Sequence, residues 1–349
     1  MTKSLDNQTA VFFGTFVNAA YRMYEADPSN LTPPPAGITE GWSLVAWIQM
    51  SDFALGDSTQ KFYGFIAQNN VQTRSFVVAI RGTEGTTEWW DDAHIASVPF
   101  TQVPNAGRVA QGFDRIYGTL GVRMRKPASA EGVGVEAQPL PLKGTFAEQV
   151  AQAVTAGSGA QKLDLNALDF TMPVVAVTGH SLGAALCTLY VMENAAKKVI
   201  NNPTVCTFAS PRVGNSAFVQ AFNALQLASW RIVNAADLVP NLPPDIFGYA
   251  HVDTQCLFDS TGKVRSTISC AHSLDTYLCL LDPSRKPTTD CTPSSADVAM
   301  SEHLGIASAE SVVQPSTASS SERHRGVSLK APASVTININ IFSEPPSDQ

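Results

Sequence analysis

Apolar positions along the chain fall into two periods. From residue 9 to 26, Phe12, Phe16, Ala19, Ala20 and Met23 recur at helical spacing and Asp27-Pro28 follows, which predicts an amphipathic helix that stops there. Three successive prolines then make residues 31–41 an irregular crossing. Strand-like runs follow at 42–50, 62–68 and 75–81, separated by the turn signals Gly56-Asp57-Ser58 and Asn69-Asn70. Such short links favour antiparallel pairing at the start of a sheet. Val109 to Phe113 leads into a helix running to about Leu120. Residues 122–144 collect Pro127, Pro139, Pro141 and several glycines without periodicity, and read as a surface insertion. Helix resumes at 145–154.

Beyond this point strand and helix alternate. An apolar, β-branched run at 174–177 precedes helix from Ala184 to about Ala196; strand 204–209 precedes helix 216–228; strand 230–234 follows. This alternation predicts an α/β fold, with a central, mostly parallel mixed sheet covered by helices on both faces. Leu274, Tyr277, Leu278 and Leu281 are spaced as one more docked helix.

Where the run at 174–177 gives way to helix, the chain reads Gly179-His180-Ser181-Leu182-Gly183. A serine between glycines at a strand-to-helix turn has the layout of a nucleophile elbow, in which a strained turn lifts the hydroxyl clear of the sheet. The alternative is an ordinary glycine-rich turn. The flanking strand and helix favour the first reading, with Ser181 as nucleophile. His180 is its sequence neighbour and cannot easily meet it side chain to side chain, so it is assigned to packing.

Acyl transfer also needs two donors aimed at the developing oxyanion. Leu182 supplies a backbone N–H directly after the serine. Thr83, at the end of the run Ile80-Arg81-Gly82-Thr83, is placed for the second. Residues 84–99 contain Trp89 and Trp90; these are either packed anchors or parts of a short lid over an apolar site.

An acid is expected beyond the carboxyl end of a strand, on the same rim as the serine. Asp237 follows strand 230–234 in that position; Asp245 lies in a proline turn and Asp253 inside an alternating run. The base follows the acid in chain order, which admits His251, His272, His303 and His324. His272 comes from a loop steadied by the helix after it and is preferred, whereas His251 reads as a hydrogen-bonded structural histidine.

Taken together, these segments resemble the class 3, fungal-type triacylglycerol lipase family. The likeness runs through Ile80-Arg81-Gly82-Thr83, Trp89 with Asp92, Val109 to Phe113, Val177 to Ala184, Ala209-Ser210-Pro211-Arg212-Val213-Gly214-Asn215, and Asp237 to Pro244. The resemblance implies an α/β-hydrolase-like fold, Ser181, Asp237 and His272 as triad, Thr83 as the oxyanion residue, the segment around Trp89 as lid, and His251 as a non-catalytic histidine. Ala110 stands where the family often carries a histidine. The catalytic domain is expected to span 1–282. Residues 283–349 form an extension outside the resemblance, Ser/Pro-rich and then alternating as a strand at 334–342.

Composition narrows the function. A net charge of −7 over 349 residues makes nucleic acid an improbable partner. No apolar stretch reaches a membrane span. There is neither C-x-x-C nor H-E-x-x-H, so no metal and no cofactor is expected. The start lacks a signal-peptide core, which reads as cytoplasmic unless a signal has been removed. Cys187 and Cys206 read as buried thiols, while Cys256, Cys270, Cys279 and Cys291 are candidates for two disulfides. The expectation is a serine carboxylic-ester hydrolase, foremost a triacylglycerol lipase meeting its lipid ester at an oil–water interface. A feruloyl esterase or phospholipase A1 on the same fold is the alternative, and an inert binding or scaffold protein the non-enzymatic one.

Overall fold

The computed structural model describes residues 5–51, 59–83, 95–125, 139–159, 173–252, 254–303 and 312–315. Ten strands build the main sheet: β1 (Trp42–Ser51), β2 (Gln60–Asn69), β3 (Ser75–Ile80), β4 (Gly121–Met124), β5 (Leu140–Pro141), β6 (Val174–His180), β7 (Thr204–Phe208), β8 (Ser229–Asn234), β9 (Thr254–Phe258) and β10 (Val312–Pro315). Their spatial order is β10-β9-β8-β7-β6-β3-β2-β1-β4-β5. β3, β6, β7, β8 and β9 run parallel, and antiparallel pairs flank them on both sides. The short links between β1, β2 and β3 produce the antiparallel flank, and the helical crossovers produce the parallel centre. A smaller sheet joins Ser97–Pro99, Arg108–Ala110, Gly214–Asn215 and Tyr249–Ala250.

The helices are α1 (Asn7–Ala26), α2 (Gln111–Tyr117), α3 (Phe146–Gly157), α4 (Leu182–Lys197), α5 (Ser216–Asn223), α6 (Ile268–His272), α7 (Leu274–Leu281) and α8 (Ser295–His303). They divide between the two faces of the sheet as the pleat demands. Val78 and Ile80 of β3 pack into one cluster with α2, α3, α4 and α5, whereas Val77 and Ala79 pack into the other with α1 and α7. Both faces of the central strands are therefore covered, which explains why they read as unbroken apolar runs. Asp6 caps α1 by accepting from the Thr9 amide at 2.8 Å, and Thr145 with Glu148 forms a capping box on α3. α5 stops at Asn223 rather than Ala228, since Gln226 turns into a left-handed φ of 52°.

Of the four candidate cysteines, Cys270 and Cys291 form a disulfide with Cα atoms 5.3 Å apart, and Cys256 and Cys279 are free. Cys256 points from β9 into the apolar layer under α1 and α7, and Cys279 lies on α7 outside that layer. The Cys270–Cys291 bridge crosses the boundary expected at 282, and β10 pairs antiparallel with β9, so the chain past residue 282 returns to the main sheet. The alternating segment 334–342 lies outside the described residues, as do 84–94 of the expected lid, with Trp89 and Trp90, and 126–138 of the insertion.

Candidate active site

β6 ends at His180 and α4 begins at Leu182, which leaves Ser181 alone on the turn between them, with φ 56° and ψ −125°. A side chain at positive φ is strained. Two contacts on either side hold the turn: the Ser181 amide donates to Phe208 O of β7 at 3.0 Å, and Ser181 O accepts from the Ala184 amide at 3.0 Å. Close approach explains the neighbouring glycine, because a Cβ on Gly183 would drive into the carbonyl oxygens of Ile80 and Arg81.

Asp237 sits just past β8, its amide donating to Asn234 O at 3.0 Å. His272 closes α6, and the chain bends at Ser273 before α7 begins. Leu274, Tyr277, Leu278 and Leu281 bury α7 against the sheet, and the Thr276 hydroxyl donates back to Cys270 O at 2.7 Å, so the histidine leaves from a fixed corner. The structure brings the three side chains together. His272 Nε2 lies 2.8 Å from Ser181 Oγ, and His272 Nδ1 lies 2.8 Å from Asp237 Oδ2. All three are buried, at 4%, 2% and 1% exposure for Ser181, His272 and Asp237.

The partners set the proton positions. A carboxylate can only accept, so Nδ1 carries the hydrogen and Nε2 is left as acceptor toward the serine hydroxyl. That is the tautomer a general base requires. Thr83, also buried, lies at the end of β3 next to the elbow and shares with Tyr21, His180, His272 and Leu274 the wall of a cleft of about 340 Å³. Leu182 presents its amide at the N-terminus of α4, where the helix dipole adds positive potential.

Residues 77–247 match the lipase (class 3) family. Over that span the chain is similar to the class 3 lipase family. Among curated relatives, phospholipase A1-II 1 of Oryza sativa subsp. indica is 30% identical over 248 residues, covering 66% of this chain and 53% of that protein. A lipase of Rhizomucor miehei is 36% identical over 109 residues, 30% of each chain. The chain thus spans about half the length of the first of these relatives, and less of the second. In structure it is similar to lipase II from Rhizopus niveus, with a TM-score of 0.50 at 18% identity over 72% of this chain and 80% of that one, a likeness of α/β-hydrolase-like fold.

Other candidate residues lie apart from the site. His251 Nε2 is 2.7 Å from Pro240 O, consistent with a structural role, and Asp245 lies in a short 3-10 turn ending at Phe247. Asp253 and His324 lie outside the described residues, and His303 ends α8. His180 does more than pack. Its Nε2 donates to His272 O at 2.8 Å and its Nδ1 accepts from the Tyr21 hydroxyl at 2.8 Å, while Tyr21 accepts from the Gly82 amide at 2.8 Å. Burial first, and then the neighbouring His272, hold the His180 pKa well below the ordinary imidazole value.

This pKa has a thermodynamic consequence. The folded chain keeps His180 neutral while the unfolded chain protonates it near pH 6.5, so below that pH the unfolded state binds more protons. Stability is then lost as the pH falls below about 6.5, by up to about 1.4 kcal/mol per pH unit from this one residue. Urea midpoints between pH 7.5 and 5 measure the slope, and His180→Gln is expected to remove that part of it.

Tyr277 is the residue that the sequence pattern hid. Its apolar spacing marks it as a helix anchor, yet its hydroxyl donates to Asp237 Oδ2 at 2.7 Å and accepts from the Asn234 amide at 3.2 Å. Burial, and then the charge of Asp237, raise its pKa well above the phenol value and keep it a donor. Tyr277→Phe is expected to lower kcat by about tenfold and stability by about 2 kcal/mol. Steady-state kinetics and urea unfolding check both. A hydroxyl-bearing residue on the buried side of a helix was the one available signal.

Proposed function

We propose that this chain hydrolyses carboxylic esters of lipids, foremost triacylglycerols, through an acyl-enzyme on Ser181. The observation that carries the reading is the unbroken line from Ser181 Oγ through His272 to Asp237, with both gaps at 2.8 Å. Ser181 Oγ attacks the ester carbon as His272 Nε2 removes its proton. The carbonyl electrons move to oxygen, which the amides of Leu182 and Thr83 receive. The intermediate collapses as the imidazolium gives its proton to the departing alcohol oxygen, leaving the acyl group on Ser181. Water activated by the same imidazole then releases the fatty acid and restores the serine.

A second reading is phospholipase A1 activity. It is favoured by the relative of that name, which is similar over two thirds of this chain, while the similarity to the lipase of R. miehei runs over less than a third. Parallel assays on emulsified triacylglycerol, phosphatidylcholine vesicles, methyl ferulate and p-nitrophenyl esters of rising chain length separate the readings. Ser181→Ala serves as the zero. Turnover of the emulsion above that of the vesicles supports the lipase; the reverse order supports the phospholipase. Turnover of methyl ferulate alone would point to a feruloyl esterase, and activity on none of them overturns the proposal.

A further inference from the structure

Arg81 is the largest fully buried side chain among the described residues, at 1% exposure. Its guanidinium lies between two rings, 3.5 Å from the centroid of Tyr24 and 4.1 Å from that of Tyr63. All of its described hydrogen bonds go to main-chain carbonyls. Nε and Nη2 donate to Phe62 O at 3.1 and 2.9 Å, and Nη1 donates to Gly82 O at 2.7 Å. Among the described residues no carboxylate pairs with it; burying a cation in that way is costly, and an apolar side chain of similar length would fill the same space at less cost. What an apolar side chain cannot do is hold the Gly82 carbonyl.

That carbonyl belongs to the peptide unit that ends in the Thr83 amide. The unit is trans, so Gly82 C=O and Thr83 N–H point in opposite directions. A guanidinium that draws the carbonyl to one side turns the amide to the other. The preceding peptide is held as well, because the Gly82 N–H donates to the Tyr21 hydroxyl at 2.8 Å. Gly82 also runs so close to the elbow that a Cβ there would sit 2.9 Å from Ser181 Cβ. We infer that Arg81 is a positioning residue for oxyanion binding: it locks the Gly82–Thr83 peptide plane so that the Thr83 amide faces the acyl group on Ser181. This rests on the reading of Ser181 as nucleophile and of Thr83 as an oxyanion donor. It also accounts for arginine rather than lysine, since a planar fork spans the Phe62 carbonyl on β2 and the Gly82 carbonyl beyond the end of β3, and a single ammonium does not.

The test uses the full chain with Arg81→Lys and Arg81→Met. Measured are kcat and KM on a soluble p-nitrophenyl ester, the affinity for an alkyl trifluoromethyl ketone that forms a tetrahedral adduct with the serine, and the melting temperature. A misaligned donor is expected to lower kcat on the order of 10²-fold with KM within about threefold, and to weaken the ketone by a factor similar to the loss in kcat. A merely structural role would lower the melting temperature and the active fraction without weakening the ketone on the molecules that remain folded. Wild-type kcat in either folded variant, or a fall in kcat with undiminished ketone affinity, overturns the inference. If neither variant folds, Tyr63→Leu removes one ring and leaves the carbonyls in place. A parallel fall of about threefold in kcat and ketone affinity is expected there, and no change in either overturns the inference. Ser181→Ala is run beside them. Undiminished turnover in that variant removes the nucleophile reading itself, whereas a dead Ser181→Ala beside a fully active Arg81→Lys removes only the role of Arg81.

Discussion

Ser181→Ala is expected to reduce ester turnover by about a millionfold, to a remnant supplied by substrate binding and the oxyanion donors alone. The substitution removes the attacking oxygen and little else. Ser181 is 4% exposed, and its backbone is held by Phe208 O on one side and by the Ala184 amide on the other, neither of which involves the side chain. Alanine at φ 56° carries the strain that serine already carries. The variant should therefore melt within a few degrees of the parent while losing both hydrolysis and covalent labelling by a fluorophosphonate. Labelling of the alanine variant at the parental rate would mean that the nucleophile lies elsewhere.

Asp237→Asn is expected to lower kcat by about 10⁴-fold near neutral pH, with a much smaller change in KM. The carboxylate accepts at both oxygens. Oδ2 receives the His272 Nδ1 hydrogen and the Tyr277 hydroxyl, and Oδ1 receives the Val239 amide at 3.0 Å. An asparagine has one oxygen to offer. If its NH2 faces His272, Nδ1 must become the acceptor and the hydrogen moves to Nε2, where it points at Ser181 and blocks proton removal. If its NH2 faces Val239, two N–H groups oppose each other in a buried site, at a cost of about 1–3 kcal/mol. The first arrangement keeps the fold and loses the base. Nitrogen NMR of the imidazole identifies the tautomer directly, and a variant with parental kcat would remove Asp237 from the mechanism.

The local patterns were legible because they follow from short-range rules. Apolar, β-branched runs became strands, Asp27-Pro28 ended α1, and the Gly-His-Ser-Leu-Gly turn lies where an apolar strand meets an apolar helix. The polar contacts behind the site were not legible. Tyr21 and His180 are 159 residues apart and Tyr277 and Asp237 are 40 apart, and no spacing rule joins them. Arg81 reads as the polar end of a strand until the fold places Tyr24 and Tyr63 on either side of it. The cysteines show the same limit: four candidates admit several pairings, and only the positions of α6 and the 291 turn select Cys270 with Cys291.

By itself, then, the sequence determined the first helix, the alternation of strand and helix from 174 to 234, the two-faced core, and which residues stand at the carboxyl ends of those strands. It missed the strands at 121–124 and 140–141, which pair at the edge of the main sheet, and the smaller sheet. Periodicity and turn chemistry act over a few residues and need no knowledge of the rest of the chain. The tertiary structure decided which of the later histidines meets the serine, which tautomer it adopts, and how the Gly82–Thr83 peptide is turned. Those depend on distances of about 3 Å between groups brought together from distant parts of the chain, and such distances exist only once both faces of the sheet are packed.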